Sequence, residues 1–444
     1  AAVAGDEIRV AAGTYTGTGE QVVLVTQTLA IRGGYDTANW LVSDPEAYPT
    51  ILTGEGQRVV MRAADLSEPA GDVSLTLKGL RIVDGYGAAG WGGGVRVEAT
   101  AVALTHNWII GNSALRGGGL AVSDDSPSVS LIDNIIRGNK AEYGAYTPLG
   151  GGVYIADCDD VYIASNQFLS NTMTMSGSGG GLYVKDCDIT VRDNVFRGNG
   201  STFPFARGGG LFLQNSEAWI ARNEIISNVA DRGGGLYVHG SDGTDMLNNI
   251  VRGNEALEGG GGVYLAWSDT VFTNTCIVDN KSSSQPGSGV HVDASKPIFI
   301  HTTFARNAGG AGQGVYARNG SSVSFTNTIL VSHTVGVAVT EGSVATLHAT
   351  LWGTGTWAND TDWTGGGDVV TGPVTQNHRT PPAFVAPDFG DYHVTQLSGA
   401  IDRGQLTDVD KDIDGDPRPI GQASDLGADE WGLFVHLPRV GRGR

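Results

Sequence analysis

Two short motifs recur along this chain in fixed phase, and a recurrence at one period limits the fold more than any composition does. The first is a Gly run followed by alternating apolar residues, as in GGGLYV at residues 179–184. Aligned on its last Gly it stands at Gly94, Gly119, Gly152, Gly181, Gly210, Gly235, Gly262, Gly289, Gly314 and Gly336, with gaps of 25, 33, 29, 29, 25, 27, 27, 25 and 22 residues. The second is NxφxxN, as in NVFRGN at residues 194–199, and it closes on Asn112, Asn139, Asn171, Asn199, Asn228, Asn254, Asn280 and Asn307. It advances in step with the first, which excludes chance recurrence of either.

Within a unit the apolar period is two, as a strand requires, so Leu182 and Val184 face one side and Tyr183 the other. The third residue of NxφxxN is always large and apolar (Ile109, Ile136, Phe168, Phe196, Ile225, Val251, Ile277, Phe304, Leu330) and reads as a core ladder. No segment carries a sustained helical stripe. A unit of about 27 residues holds three strands of four or five residues and three turns, one coil of a parallel solenoid whose neighbours stack at ~4.8 Å. The expected fold is therefore all-β: a three-sheet parallel β-helix of about 10 to 13 coils, a rod of roughly 60 Å. Residues 1–365 are assigned to the helix and residues 366–444 to a C-terminal capping segment that continues or covers the last coils. The closing Asn suits both an αL corner and an internal amide ladder, in which Asn112, Asn139, Asn171, Asn199, Asn228, Asn254, Asn280 and Asn307 bond from coil to coil. The Gly runs lack the Lys and Ser/Thr of a phosphate loop and precede strands, so they read as positions needing positive φ or close backbone approach.

Composition removes several function classes. A formal charge of −19, from 28 basic and 47 acidic residues, argues against a nucleic-acid partner, which needs clustered Lys and Arg. No apolar run reaches the ~18 residues of a membrane span. The sequence starts AAVAGDEIRV, without Met, and reads as a processed or trimmed product. Cys158, Cys187 and Cys276 lack CxxC spacing, and the nine His stand singly without HExxH, so neither supplies a zinc motif.

GGGLYV with DNVFRGN resembles the right-handed parallel β-helix repeat shared by pectate lyases, phage tailspikes and many bacterial surface proteins. FLSN, FRGN and FARN, at Phe168, Phe196 and Phe304, resemble the FxxN repeats of polymorphic outer-membrane adhesins, without their GGA[ILV] motif or terminal barrel. GDYHVTQLSGAIDRG followed by DIDGDPRPIGQASDLGADE is similar to the end of the choice-of-anchor Q group of secreted β-helix proteins, and GDEIRVAAGTYTG with LAIRGGYD resembles its start. Together these cover nearly the whole chain. In that group a short helix usually precedes the GDxI strand, where this chain has AAVA. The resemblance implies an extracellular or cell-surface bacterial protein.

Four regions are candidate sites. Outward positions of the Gly-run strand read Tyr154, Tyr183, Phe212, Tyr237, Tyr264, His291 and Tyr316, a ring ladder that either binds sugars or a protein partner, or stabilises its own strands beneath loops. Insertions cluster at one corner, where Tyr143, Tyr146, Phe203 and Phe205 either close over a groove or pack their own loops. The opposite turn is acidic, with Asp124, Asp125, Asp157, Asp159, Asp160, Asp186 and Asp188, and there Cys158 and Cys187 occupy equivalent places that permit but do not require a disulfide. Near the end, DVDKDIDGD sets Asp408, Asp410, Asp412, Asp414 and Asp416 in a spacing that suits Ca²⁺, with Gly421 where an EF-hand has Glu. The expectation is a structural or adhesive surface protein that associates into homo-oligomers or filaments through rod ends or faces, or meets a glycan or surface protein. The alternatives are a calcium-dependent lyase of acidic polysaccharide, which needs an Arg or Lys base beside the turn acids, where Lys185 stands, and a non-catalytic glycan-binding protein; the paired Asp, GHG and RxK pattern of β-helix glycosidases is missing.

Overall fold

One coil shows how the repeat becomes structure. Leu211–Gln214, Glu217–Ala221 and Glu224–Ile226 are its three strands. Between them, and after the last, the chain turns at single left-handed residues, Asn215, Arg222 and Ser227, with φ of 48°, 53° and 55°. Each strand pairs in parallel with its counterpart in the next coil, placing Phe212 beside Tyr237, Ile220 beside Met246 and Ile225 beside Val251. The computed structural model describes residues 2–66, 73–142, 146–371 and 377–432, and this pairing runs through about 13 coils. Among the described residues the helical elements are two 3-10 turns, Gly355–Trp357 and Pro387–Phe389, and no helix is long and apolar enough to cross a membrane.

Inside the column, Leu182, Val184, Val191 and Phe196 and their equivalents form one continuous apolar core. The residues expected as its ladder, from Ile109 to Leu330, are all fully buried. Phe168 stacks on Phe196 at 4.5 Å between ring centroids, and Phe272 on Phe299 at 4.7 Å.

The closing Asn residues line one corner of this core. Their side-chain amides bond in an unbroken series, Asn112–Asn139–Asn171–Asn199–Asn228–Asn254–Asn280–Asn307, each Nδ2 donating to the next Oδ1 at 2.9–3.0 Å. Each Oδ1 from Asn139 to Asn307 also accepts the backbone N–H of the Asn one coil before it, and each Nδ2 also donates to a main-chain carbonyl, as Asn199 does to Phe168. The amides are saturated, so the core tolerates them. The αL assignment moves by one residue: the preceding position, Gly198 or Ser227 for example, takes the positive φ and tips the Asn inward. A second ladder uses the first Asn of the motif, Asn107–Asn134–Asn166–Asn194–Asn223–Asn249, at 2.9–3.1 Å. The Gly runs fit against these ladders. Gly179 has φ 71°, and a Cβ on Gly181 would come within 2.5 Å of Gly210 O.

Beyond Asn307 the ladder passes through a histidine. Asn307 Nδ2 meets His333 Nε2 at 3.2 Å, and His333 Nδ1 meets Asn359 Oδ1 at 3.1 Å, a relay that needs the neutral Nδ1–H tautomer. Burial pushes the His333 pKa down to about 4.

The strands Asp368–Thr371 and Asn377–His378 complete the last coil against Val344–Leu351. Residues 379–432 then turn back along the flank. Phe384, Tyr392, Val394, Ala400, Leu426 and Ala428 pack onto the outward side chains of the third sheet, Cys276, Val278, Ala305, Ile329, Val331 and Leu351.

Two outcomes test the ladder. Asn199→Ala strands the Asn171 amide and the Phe168 carbonyl, and each stranded group costs about 1–3 kcal/mol; chemical denaturation should show a loss of that order. The folded His333 pKa lies below its ordinary 6.5, so its stabilisation is complete above pH 6.5 and is lost as pH falls towards about 4. His333→Asn restores the amide series, and its melting temperature should fall less than the parent's between pH 7 and pH 4.

Candidate functional sites on the flank and at the cap seam

The aromatic ladder forms, and it is covered. Tyr154, Tyr183, Phe212, Tyr237, Tyr264 and His291 stack in register with centroid distances of 4.3–5.3 Å, and Tyr316 meets His291 edge-on at 5.1 Å. All but the half-buried Tyr316 are 3–5% exposed. Of the two arrangements the sequence left open, the rings adopt the covered one. The physical reason lies in the segments between each closing Asn and the next Gly run. They form short outer sheets of their own, such as Tyr86–Trp91, Ser113–Arg116, Lys140–Ala141 and Thr172–Met173, and then fold back over the rings. Trp91 and Leu149 pack on the ladder, while Arg116 lies 5.8 Å from the Tyr154 ring centre and Arg207 5.7 Å from that of Tyr237. Two phenols meet polar partners inside this layer, Tyr183 at Gln214 Oε1 (2.8 Å) and Tyr264 at Asp293 Oδ2 (3.2 Å). Burial raises both phenol pKa values and lowers that of His291 to about 4.

At the insertion corner Tyr146, Phe203 and Phe205 are exposed, at 71%, 50% and 62%; Tyr143 lies outside the described residues. On the acidic turn, Asp124, Asp125, Asp157 and Asp186 take positive φ and make the corner itself. Cys158 and Cys187 sit in register as free thiols. They are members of a longer series. Cys187 N–H donates to Ser216 Oγ, Ser216 N–H to Ser241 Oγ, Ser241 N–H to Ser268 Oγ and Ser268 N–H to Ser295 Oγ, at 2.9–3.2 Å. Each hydroxyl or thiol in turn donates to the carbonyl two residues earlier, Cys187 to Lys185 and Ser216 to Gln214. The cysteines are thus sulfur rungs in a hydroxyl ladder, and the hydrogen bond with Cys187 together with burial raises the Cys158 pKa. Beside them Asp160, Asp188, Glu217 and Asp245 border an open cleft with Trp219, which is 37% exposed.

The C-terminal motif is organised by buried charge. The Arg418 side chain is fully buried and donates to Glu430 Oε2 (3.0 Å), to the carbonyls of Asp425 and Gly427, and meets His301 Nδ1 at 3.1 Å. Glu430 also accepts the N–H groups of Ile420 and Asp425, and burial raises Asp425 to about 7. The rod meets this unit through left-handed corner residues of one edge: Asn248 donates to Asp412 O, Asn274 to Lys411 O and Asn327 to Gln405 O. Arg306 adds bonds to Asp279, Asp388 and the Tyr392 hydroxyl.

Within DVDKDIDGD the carboxylates do not all face a common centre. Asp412 is fully buried; its Oδ1 accepts the N–H groups of Asp414, Gly415 and Asp416 at 2.8–2.9 Å, and its Oδ2 that of Glu430 at 3.0 Å. Both oxygens of Asp412 thus serve the main chain of the cap. Asp408 and Asp410 are exposed and Asp416 half-buried. Among the described residues, the group whose ligand atoms converge, all within 4.8 Å of one another, is His393, Asp414 and Asp429. His393 Nδ1 lies 2.6 Å from Asp391 Oδ1 and Nε2 2.6 Å from Asp414 Oδ2, and the hydrogen bond with Asp414 raises its pKa to about 10. Asp429 Oδ2 accepts the Val394 N–H at 2.7 Å, and burial raises this carboxyl to about 6. The three line a cavity of about 110 Å³ between cap and rod, which Arg222, Glu224 and Tyr392 also border.

Stacked in-register coils, internal amide ladders and a flank-docked C-terminal segment define a parallel β-solenoid. Residues 91–205 and 180–350 match the family described as right handed beta helix region; the matches span more than half of the chain, which belongs to this family. No curated protein matches the sequence. The matched residues end before GDYHV, so the similarity to the choice-of-anchor Q group rests on the motifs alone.

Arg418→Met leaves Glu430 buried without its partner, and breaking such a pair costs about 3–5 kcal/mol. The cap should then loosen before the rod: limited proteolysis should cleave within residues 379–432 while the β-sheet circular dichroism persists.

Proposed function

We propose that this chain is a structural and adhesive rod of the bacterial cell surface, acting through its shape and its ends. The β-helix fold accords with a surface or structural role. The observation that carries the reading is the column itself: core, amide ladders and hydroxyl ladder run from coil to coil, which makes a stiff spacer of fixed cross-section. A second feature favours association through the rod end. The first-coil strands Asp6–Ala11, Gly13–Tyr15 and Gln21–Val25 each pair on one side, with Leu29–Asp36, Thr50–Thr53 and Val59–Ala64. Among the described residues no strand pairs with their other edges, and an edge left so would template a further strand. Ile8, Val10, Val22 and Val23 are only partly buried there, so an added layer would bury more apolar surface.

Negative-stain micrographs and sedimentation of the purified chain should show concentration-dependent end-to-end pairs or filaments. Leu24→Lys, at a position 50% exposed on this edge, should weaken that association while leaving the fold intact. Monomers at every concentration would remove the assembly role, and unsaturated sugar products from uronic-acid polymers would replace the structural reading with a catalytic one.

A further inference from the structure

The convergence of His393, Asp414 and Asp429 is independent of the proposed surface role. These residues come from three segments of the cap: the strand Asp391–Val394, the DGD turn, and the stretch just before Glu430. Direct bonds brace the three segments against one another. The buried Asp412 carboxylate holds the turn through Oδ1 and the Glu430 N–H through Oδ2, Ile413 N–H donates to Ala428 O, and Asp429 itself accepts the Val394 N–H. The ligand atoms are therefore placed before any ion arrives, the condition that lowers the entropic cost of binding.

We propose that His393, Asp414 and Asp429 form a site for one divalent transition cation of the Zn²⁺ type at the seam between cap and rod. Three features of the arrangement support this. One imidazole nitrogen and two carboxylates are a donor set for a borderline cation, whereas Ca²⁺ takes oxygen alone. Asp391 stands on the far side of the ring, 2.6 Å from Nδ1, where it fixes the tautomer that leaves Nε2 for a metal; metal-bound histidines usually have such a carboxylate. The charge is also lopsided. Three carboxylates surround one imidazole, and the guanidinium bordering the cavity, Arg222, is held by both oxygens of Asp193 at 2.7 and 2.9 Å. With three protein ligands, the coordination shell is completed by water from the cavity side.

The full-length protein, stripped with a chelator, is titrated with Zn²⁺ by calorimetry. One ion per chain is expected. His393→Ala and Asp429→Asn should abolish that uptake, and Asp391→Asn, at a positioning residue, should weaken it about 10–100-fold. The Asp408→Asn/Asp410→Asn double variant should bind as the parent does. X-ray absorption of the loaded parent protein, which needs no variant to fold, should show one imidazole with oxygen ligands. No uptake by the parent, uptake unchanged in His393→Ala, or a shell without imidazole would each overturn the assignment and leave His393 as an imidazolium between carboxylates.

Discussion

The rest of this molecule depends on amides that bond to amides in a dry interior. A buried Asn is costly alone, and in this column each one is satisfied by the copy a coil away. The bonds act only if every coil presents its Asn at the same height, so the ladder enforces register as well as adding stability. A strand that slipped by one residue would strand two groups per coil and turn its core side chain outward. Periodicity in the sequence is the trace of that requirement.

This explains which parts were legible. The closing Asn recurs through eight successive coils with an apolar residue three places before it, because each must meet its own copy. Sequence periodicity therefore located both, and placed the core correctly. The first Asn of the same motif recurs over six coils, and its ladder could have been read from NxφxxN. His333 was hidden because it performs an amide's work with different atoms. The hydroxyl ladder was masked in the same way, since Cys158 and Cys187 head the serine series with sulfur.

Other features were not legible, for reasons of direction and distance. Burial of the Tyr154–His291 ring series depends on covering segments that vary in length and carry no period, so alternation showed only that the rings leave the core. In DVDKDIDGD the spacing of acids says nothing of where each carboxylate points, and the peptide N–H groups of its own turn capture Asp412. His393 and Asp429 lie 21 and 15 residues from Asp414 in the sequence, and they meet only because the cap folds on itself. Arg418 and Glu430 were visible as parts of a motif, but not as the buried pair that anchors it.

The outer layer over the rings has a consequence for how such a chain can change. Its segments differ by several residues from one coil to the next, yet the amides beneath them stay aligned, because the added length leaves the column at one corner and returns to the same Gly run. Spindle and rim are thus separable. New loops can be written into the rim, with different shapes and chemistry, while the spindle that holds them keeps its pitch.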